Sequence, residues 1–239
     1  MRIAMWSGPR NLSTAMMYSF AARGDSAVWD EPYYAAYLKD TGLDHPMRGE
    51  ILDAWPNDHK DVRRLCLDSI PGEKPIFYQK HMSHHMLPKY DLGWTKDVVN
   101  VFLIRHPARV IASYAAKREN PSAQDIGFVA QGALFDRIAD LSGVAPVVID
   151  ATDIRADPKG SLQALCQKIG ISWTDKMLSW PAGGIEEDGP WAAHWYDRIH
   201  KSTGFAEPEG PLPTVKAEQE DVLKEAVRIY EVLQQHSLC

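Results

Sequence analysis

Short runs of apolar residues alternate along the chain with longer stretches in which apolar positions recur every three or four residues. The runs at 3–6, 27–29, 75–78, 98–104 and 146–149 are bounded by turn-forming residues and read as buried β-strands. Between them the spacing predicts helices over 13–23, closed by Gly24, over about 48–68, over 107–117, over 123–141, and over 158–169, closed by Gly170. Parallel strands need crossover connections, so strands and helices alternating at this distance predict an α/β fold: a doubly wound parallel sheet flanked by helices. Near the C-terminus, Val222, Ala226, Ile229, Tyr230 and Leu233 fall on one helical face and Glu220 precedes Lys224 by four residues, which predicts a surface helix over 216–235. The segment 180–213 is different, with many Gly and Pro residues and little periodicity, and is expected to form a long loop or lid. No repeat or break in composition divides residues 1–239, which read as one elaborated domain.

Composition narrows the function classes. With 239 residues, 45% of them hydrophobic and 24% charged, the chain is long enough to bury a sizeable core. Its 26 basic and 32 acidic residues give a net charge of −6, which argues against a broad basic face for nucleic acid and makes any anion site local. Cys66, Cys166 and Cys239 are odd in number and widely spaced, the pattern of reduced thiols rather than of a metal knuckle. There is no apolar leader at the N-terminus and no run of 18 apolar residues, so a cytoplasmic protein without membrane attachment is expected.

Candidate chemistry begins in the turn after the first strand, Trp6-Ser-Gly-Pro-Arg-Asn-Leu-Ser-Thr. In a parallel sheet this turn lies at the carboxyl ends of the strands, where ligands bind, and the N–H groups that open the next helix attract anions. Gly8 permits a tight backbone, Pro9 stiffens it, Arg10 offers a charged fork, and Ser13 and Thr14 offer hydroxyls. Counted from Gly8, Ser13 and Thr14 stand where a Walker A loop has Gly and Lys, so the phosphate-reaching lysine of ATP-dependent P-loop enzymes is missing. An ordinary strand-to-helix turn capped by Ser13 is the plain alternative.

A second turn, Arg105-His-Pro-Ala-Arg-Val-Ile-Ala-Ser113, follows the fourth apolar run. Together the two segments resemble the sulfotransferase family, which uses 3'-phosphoadenosine 5'-phosphosulfate (PAPS) as sulfuryl donor. The resemblance implies a P-loop-type fold in which Pro9, Arg10, Asn11, Leu12, Ser13 and Thr14 hold the 5'-phosphosulfate, while Arg105 and Ser113 hold the 3'-phosphate. Leu12 stands where the family loop usually has glycine. The stretch from Val147 to Pro158 is similar to a third family segment but has Ala151-Thr152 in place of Tyr-Glu.

The same resemblance implies an acceptor of small-molecule type, no metal, and a general base at a strand end. Glu31, after the second strand, is the favoured base, similar to the carboxylate of several bacterial and Golgi sulfotransferases. Lys80 and His81 resemble the Lys-Thr-His of cytosolic members with one residue missing; Lys80 would stabilise charge on the bridging oxygen, His81 would be the alternative base, and Arg10 would stabilise the departing phosphate. Glu31 also fits a helix N-terminal charge before Pro32, and Lys80 and His81 a solvated cap after a strand. His81 and His85, four apart, lack the glutamate and cysteines of a zinc site. Trp191, Trp195, Tyr196 and Phe205 are candidates for an acceptor or adenine pocket, and Arg198 and Lys201 for phosphate contacts, although all fit an ordinary core or surface equally well. A small-molecule kinase, or a nucleotide-binding module without transfer chemistry, are the competing readings. Nothing in the sequence marks an obligate interface.

Overall fold

The computed structural model describes residues 1–115 and 121–238. The last two positions of the helix expected over 107–117, and Cys239, lie outside them.

Five strands, β1 (Arg2–Ser7), β2 (Ser26–Asp30), β3 (Ile76–Met82), β4 (Val99–Ile104) and β5 (Val147–Asp150), pair in parallel in the order β2-β3-β1-β4-β5. The helices are α1 (Ser13–Ala22), α2 (Tyr34–Thr41), α3 (Arg48–Ala54), α4 (His59–Leu67), α5 (Pro107–Ala115), α6 (Phe128–Ser142), α7 (Ala151–Ala156), α8 (Pro158–Ile169), α9 (Ala192–Trp195), α10 (Asp197–His200) and α11 (Glu220–Gln234). After β1 the chain moves out to β2, returns through β3, and crosses to β4 on the far side of β1. This reversal opens a crevice at the carboxyl ends of the central strands.

Successive strand side chains point to opposite faces, so β1 contributes Ile3 and Met5 to one core and Ala4 and Trp6 to the other. Residues of α1 and α8 pack on the first face, and those of α4, α5, α6 and α11 on the second. A third, smaller cluster joins Tyr34 and Leu38 of α2, Ile51 of α3, and Trp191 and Tyr196.

α2 and α7 come in addition to the expected elements, and three expected elements are altered. The helix expected over 48–68 is two, because Pro56 lacks an N–H donor and biases Trp55 to extended backbone (φ −114°, ψ 149°); Asp58 then caps α4 by accepting from the Lys60 N–H at 2.8 Å. α6 begins at Phe128 rather than 123, since Gly127 adopts a left-handed conformation (φ 76°). β3 continues through the polar residues Gln79, Lys80 and His81 because it is flanked by β1 and β2 and each polar group finds a buried partner. Among the described residues no helix is long and apolar enough to cross a membrane.

Candidate functional site

The carboxyl ends of β1, β3 and β4 open into a cleft of about 670 Å³. Residues 9–15 form one wall. Arg10 (φ 63°) and Leu12 (φ 73°) both take left-handed backbone, so Leu12 keeps a conformation that suits glycine at some steric cost. Leu12 is the N-cap of α1 and supplies no side-chain acceptor. Ser13 is therefore the first helical residue, not the cap, and the opening N–H groups remain available to an anion. The loop is fastened from β4: Arg105 donates to the Arg10 carbonyl at 2.8 Å and the Asn11 amide to the Leu103 carbonyl at 3.3 Å. A Cβ on Gly8 would come within 3.3 Å of the Ile126 carbonyl, so this backbone approach suits glycine.

Deeper in the cleft lies a buried charge cluster. Strand register sets Asp30 beside Lys80. The Lys80 ammonium donates to Asp30 at 2.8 Å, to Glu31 at 2.6 Å and to the Tyr196 hydroxyl at 2.8 Å. Tyr196 in turn donates to the other Asp30 oxygen at 2.8 Å and accepts from the Trp191 indole at 3.1 Å. Burial would strip Lys80 of its proton, but the charges of Asp30 and Glu31 outweigh it and hold the ammonium well above its ordinary pKa. For Glu31 burial is the larger effect: its carboxyl is pushed up, with Lys80 pulling the other way. Glu31 also has positive φ (42°), so a strained backbone turns its side chain into the cleft.

Facing Glu31 is His85, whose Nδ1 lies 3.9 Å from the carboxylate. Its ring is stacked between Tyr34 and Tyr37, with centroids at 4.6 and 4.7 Å. Burial lowers the pKa of His85 well below its ordinary value and that of His84 to about 4, so both imidazoles are neutral at pH 7. Each leaves a buried Nδ1 without a hydrogen-bond partner.

At the opposite end, Arg105 and Arg155 line the cleft. Both contact Glu209, as does Arg109. Burial would raise the Glu209 carboxyl, but the Arg105 hydrogen bond and the three guanidinium charges hold it below the usual carboxylate value.

The family model for the sulfotransferase domain matches residues 1–237. The chain belongs to this sulfotransferase-domain family. Two Arabidopsis thaliana proteins, branched-chain-amino-acid aminotransferase-like proteins 2 and 1, are 37% and 38% identical over 237 residues, 98% of this chain. The chain spans 41% and 42% of their lengths. In fold it is similar to the sulfotransferase domain of the Synechococcus PCC 7002 olefin synthase (TM-score 0.52, 15% identity, 95% of this chain and 94% of that one) and to that of the curacin biosynthetic pathway (TM-score 0.54, 15% identity, 94% and 96%).

Within this sulfotransferase domain, Pro9, Arg10, Asn11, Leu12, Ser13, Thr14, Glu31, Lys80 and Arg105 line one cleft. His81 does not join them. It lies on the opposite face of β3 from Lys80, stacked on Trp6 at 4.4 Å, and its Nε2 is 3.2 Å from the Gln79 amide oxygen. Strand alternation therefore removes it as a base, and burial lowers its pKa to about 3. The Lys80 ammonium, expected to steady the bridging oxygen, has all three donors engaged, with Asp30, Glu31 and Tyr196. Ser113 is half-buried on α5, which contributes Tyr114 to the cleft wall instead.

Within the segment 180–213, expected as a loop or lid, the short helices α9 and α10 wall the cleft. Trp191 is buried, Trp195 lies over the Arg10 guanidinium at 5.8 Å, and Arg198 lines the cleft. Phe205 packs edge-on to Trp180, and Lys201 pairs with Asp197 at the surface. The sequence reading missed Asp30, His84, Arg155 and Glu209; it named Tyr196 only as a pocket aromatic and weighed His85 only as a zinc ligand. The adjacent Asp30-Glu31 pair and the run from Lys80 to His85 were visible signals; Glu209 had none, because its partners lie 54 to 104 positions away.

Proposed function

We propose that this chain transfers the sulfuryl group of PAPS to a hydroxyl or amine of a small acceptor. The carrying observation is that one cleft joins an uncapped helix start, with Arg10 beside it, to a buried carboxylate facing neutral histidine rings. The residues suit the donor chemically. The free helix-start N–H groups, the Ser13 and Thr14 hydroxyls and the Arg10 fork match a phosphosulfate, and the buried Arg105 Nε, which has no hydrogen-bond partner, marks a place for further negative charge.

PAPS, when bound, supplies a sulfuryl group whose transfer leaves 3',5'-adenosine bisphosphate. The work of the protein is positioning and charge stabilisation. Arg10 and the α1 N–H groups hold the anionic end. Glu31 accepts the acceptor proton on its free carboxylate oxygen, while Lys80 and Asp30 keep it oriented. Tyr34 and Trp191 shape the apolar wall around the acceptor.

Calorimetric titration with 3',5'-adenosine bisphosphate, AMP and Mg-ATP tests this reading. The bisphosphate is expected to bind tightly to the wild type and weakly to Arg105→Ala. Glu31→Gln is expected to retain donor binding and to lower turnover by roughly 10²-fold or more, the range for loss of a general base. Binding of Mg-ATP in place of the bisphosphate would overturn the proposal in favour of a kinase.

A further inference from the structure

The arginine end of the cleft is already filled by an anion, and that anion belongs to the chain. The Glu209 side chain is only 2% exposed. Its Oε1 accepts from Arg105 and, at 2.8 Å, from Arg155; its Oε2 lies 3.1 Å from Arg109 Nε and 3.4 Å from the Thr152 hydroxyl. Two carboxylate oxygens are thus divided among three guanidiniums. Arg105 Nε and Arg109 Nε remain buried with no bond of acceptable geometry. Three positive charges against one negative leave this end electropositive, and a tetrahedral dianion with three terminal oxygens would match it better than a carboxylate does.

The segment that carries Glu209 is lightly held. Among the described residues, 206–214 make no backbone–backbone hydrogen bond; they run between Phe205, which packs on Trp180, and Val215, which packs on the core. Thr152 apart, the anchors of this stretch are the same arginines: the Ala206 and Glu207 carbonyls accept from Arg155, and the Gly210 carbonyl from Arg109. Residues 206–208 and 210–212 are exposed. Releasing Glu209 would therefore free a strap without dismantling a core.

We infer that Glu209 is an internal occupant of the donor's second anion position, which a phosphate monoester on the nucleotide displaces, so that Glu209 sets donor selectivity. This rests on the proposed donor reading. A nucleotide with only a 5'-anion leaves the strap closed. One that also carries a ribose phosphate exchanges it for Glu209, and its apparent affinity is reduced by the fraction of molecules in the closed state.

The test compares wild type and Glu209→Gln, titrated with 3',5'-adenosine bisphosphate and with AMP, alongside cleavage of the wild type at the Glu209–Gly210 bond by a glutamate-specific protease, which needs the buried Glu209 side chain to be released. With the strap closed in most molecules, the bisphosphate should bind about ten-fold tighter to Glu209→Gln, and AMP should change by less than about two-fold. In the wild type the bisphosphate, but not AMP, should speed cleavage at this bond. Unchanged or weaker bisphosphate binding in the variant, or slower cleavage of the strap, would overturn the inference and make Glu209 a scaffold for the arginines, with the donor reading intact. Failure of the bisphosphate to bind either protein would overturn both. If the variant does not fold, wild-type cleavage decides alone.

Discussion

Lys80 illustrates how much of this site is decided by single side chains. Its ammonium is enclosed by Asp30, Glu31 and Tyr196, and Asp30 is fully buried. Removing the cation leaves two carboxylates facing each other without water, and breaking a buried pair in this way costs about 3–5 kcal/mol. Lys80→Met should therefore lose stability in that range by urea denaturation; a loss near zero would mean that Glu31 turns out to solvent and that the pair is weak. Leu12 is a milder case. Its left-handed backbone carries about 1–2 kcal/mol of strain, whereas glycine would cost the folded state roughly 0.5–1 kcal/mol of chain entropy. The two nearly cancel, which leaves the half-buried Leu12 side chain, packed against the core, to decide the sign: Leu12→Gly should lose roughly 1–2 kcal/mol by the same denaturation.

Among the elements, α6 and α11 cross closely at Gly132. A Cβ there would meet Ile229 Cγ2 at 2.8 Å, and the branched isoleucine has little freedom to move aside. Alanine improves helix propensity by up to about 1 kcal/mol, yet overpacking costs about 1–3 kcal/mol. Gly132→Ala should be net destabilising, and adding Ile229→Ala should recover part of that loss; a double-mutant cycle with no coupling would show that the helices shift apart freely. α6 also braces the cleft, since Gln131 donates to the Leu103 carbonyl at 2.9 Å, at the end of β4 beside the loop at 9–14.

Across the whole molecule, three buried histidines set the acid limit. Burial holds His81 at about 3, His84 at about 4 and His85 well below its ordinary value, while in the unfolded chain each titrates near 6.5. As pH falls from about 6.5 toward 4 the unfolded state takes up protons that the folded state refuses, so stability is lost on acidification, by up to about 1.4 kcal/mol per pH unit for each histidine. Glu31, whose carboxyl is pushed up by burial, works in the opposite sense and offsets at most one of the three. The urea midpoint should fall steeply between pH 6.5 and 5, and His81→Phe should flatten that slope. An unchanged midpoint down to pH 5 would contradict the neutral, buried assignment.

The hydrophobic pattern alone determined the parallel α/β architecture, because burial on both faces and crossover helices leave a periodic trace in sequence. Local motifs likewise marked the cleft loop at 9–14 and the strand-end residues Glu31, Lys80 and Arg105, since each sits where strand chemistry changes to loop chemistry. Tertiary structure decided what the pattern does not encode. Side-chain direction on β3 placed Lys80 in the cleft and His81 in the core, although they are neighbours in sequence. α2 escaped notice because five of its eight residues are buried and no polar stripe marks a face. Glu209 met its three arginines only through the return of the chain across the sheet, since long-range electrostatic complementarity is carried by distance in space and leaves no local periodicity to read.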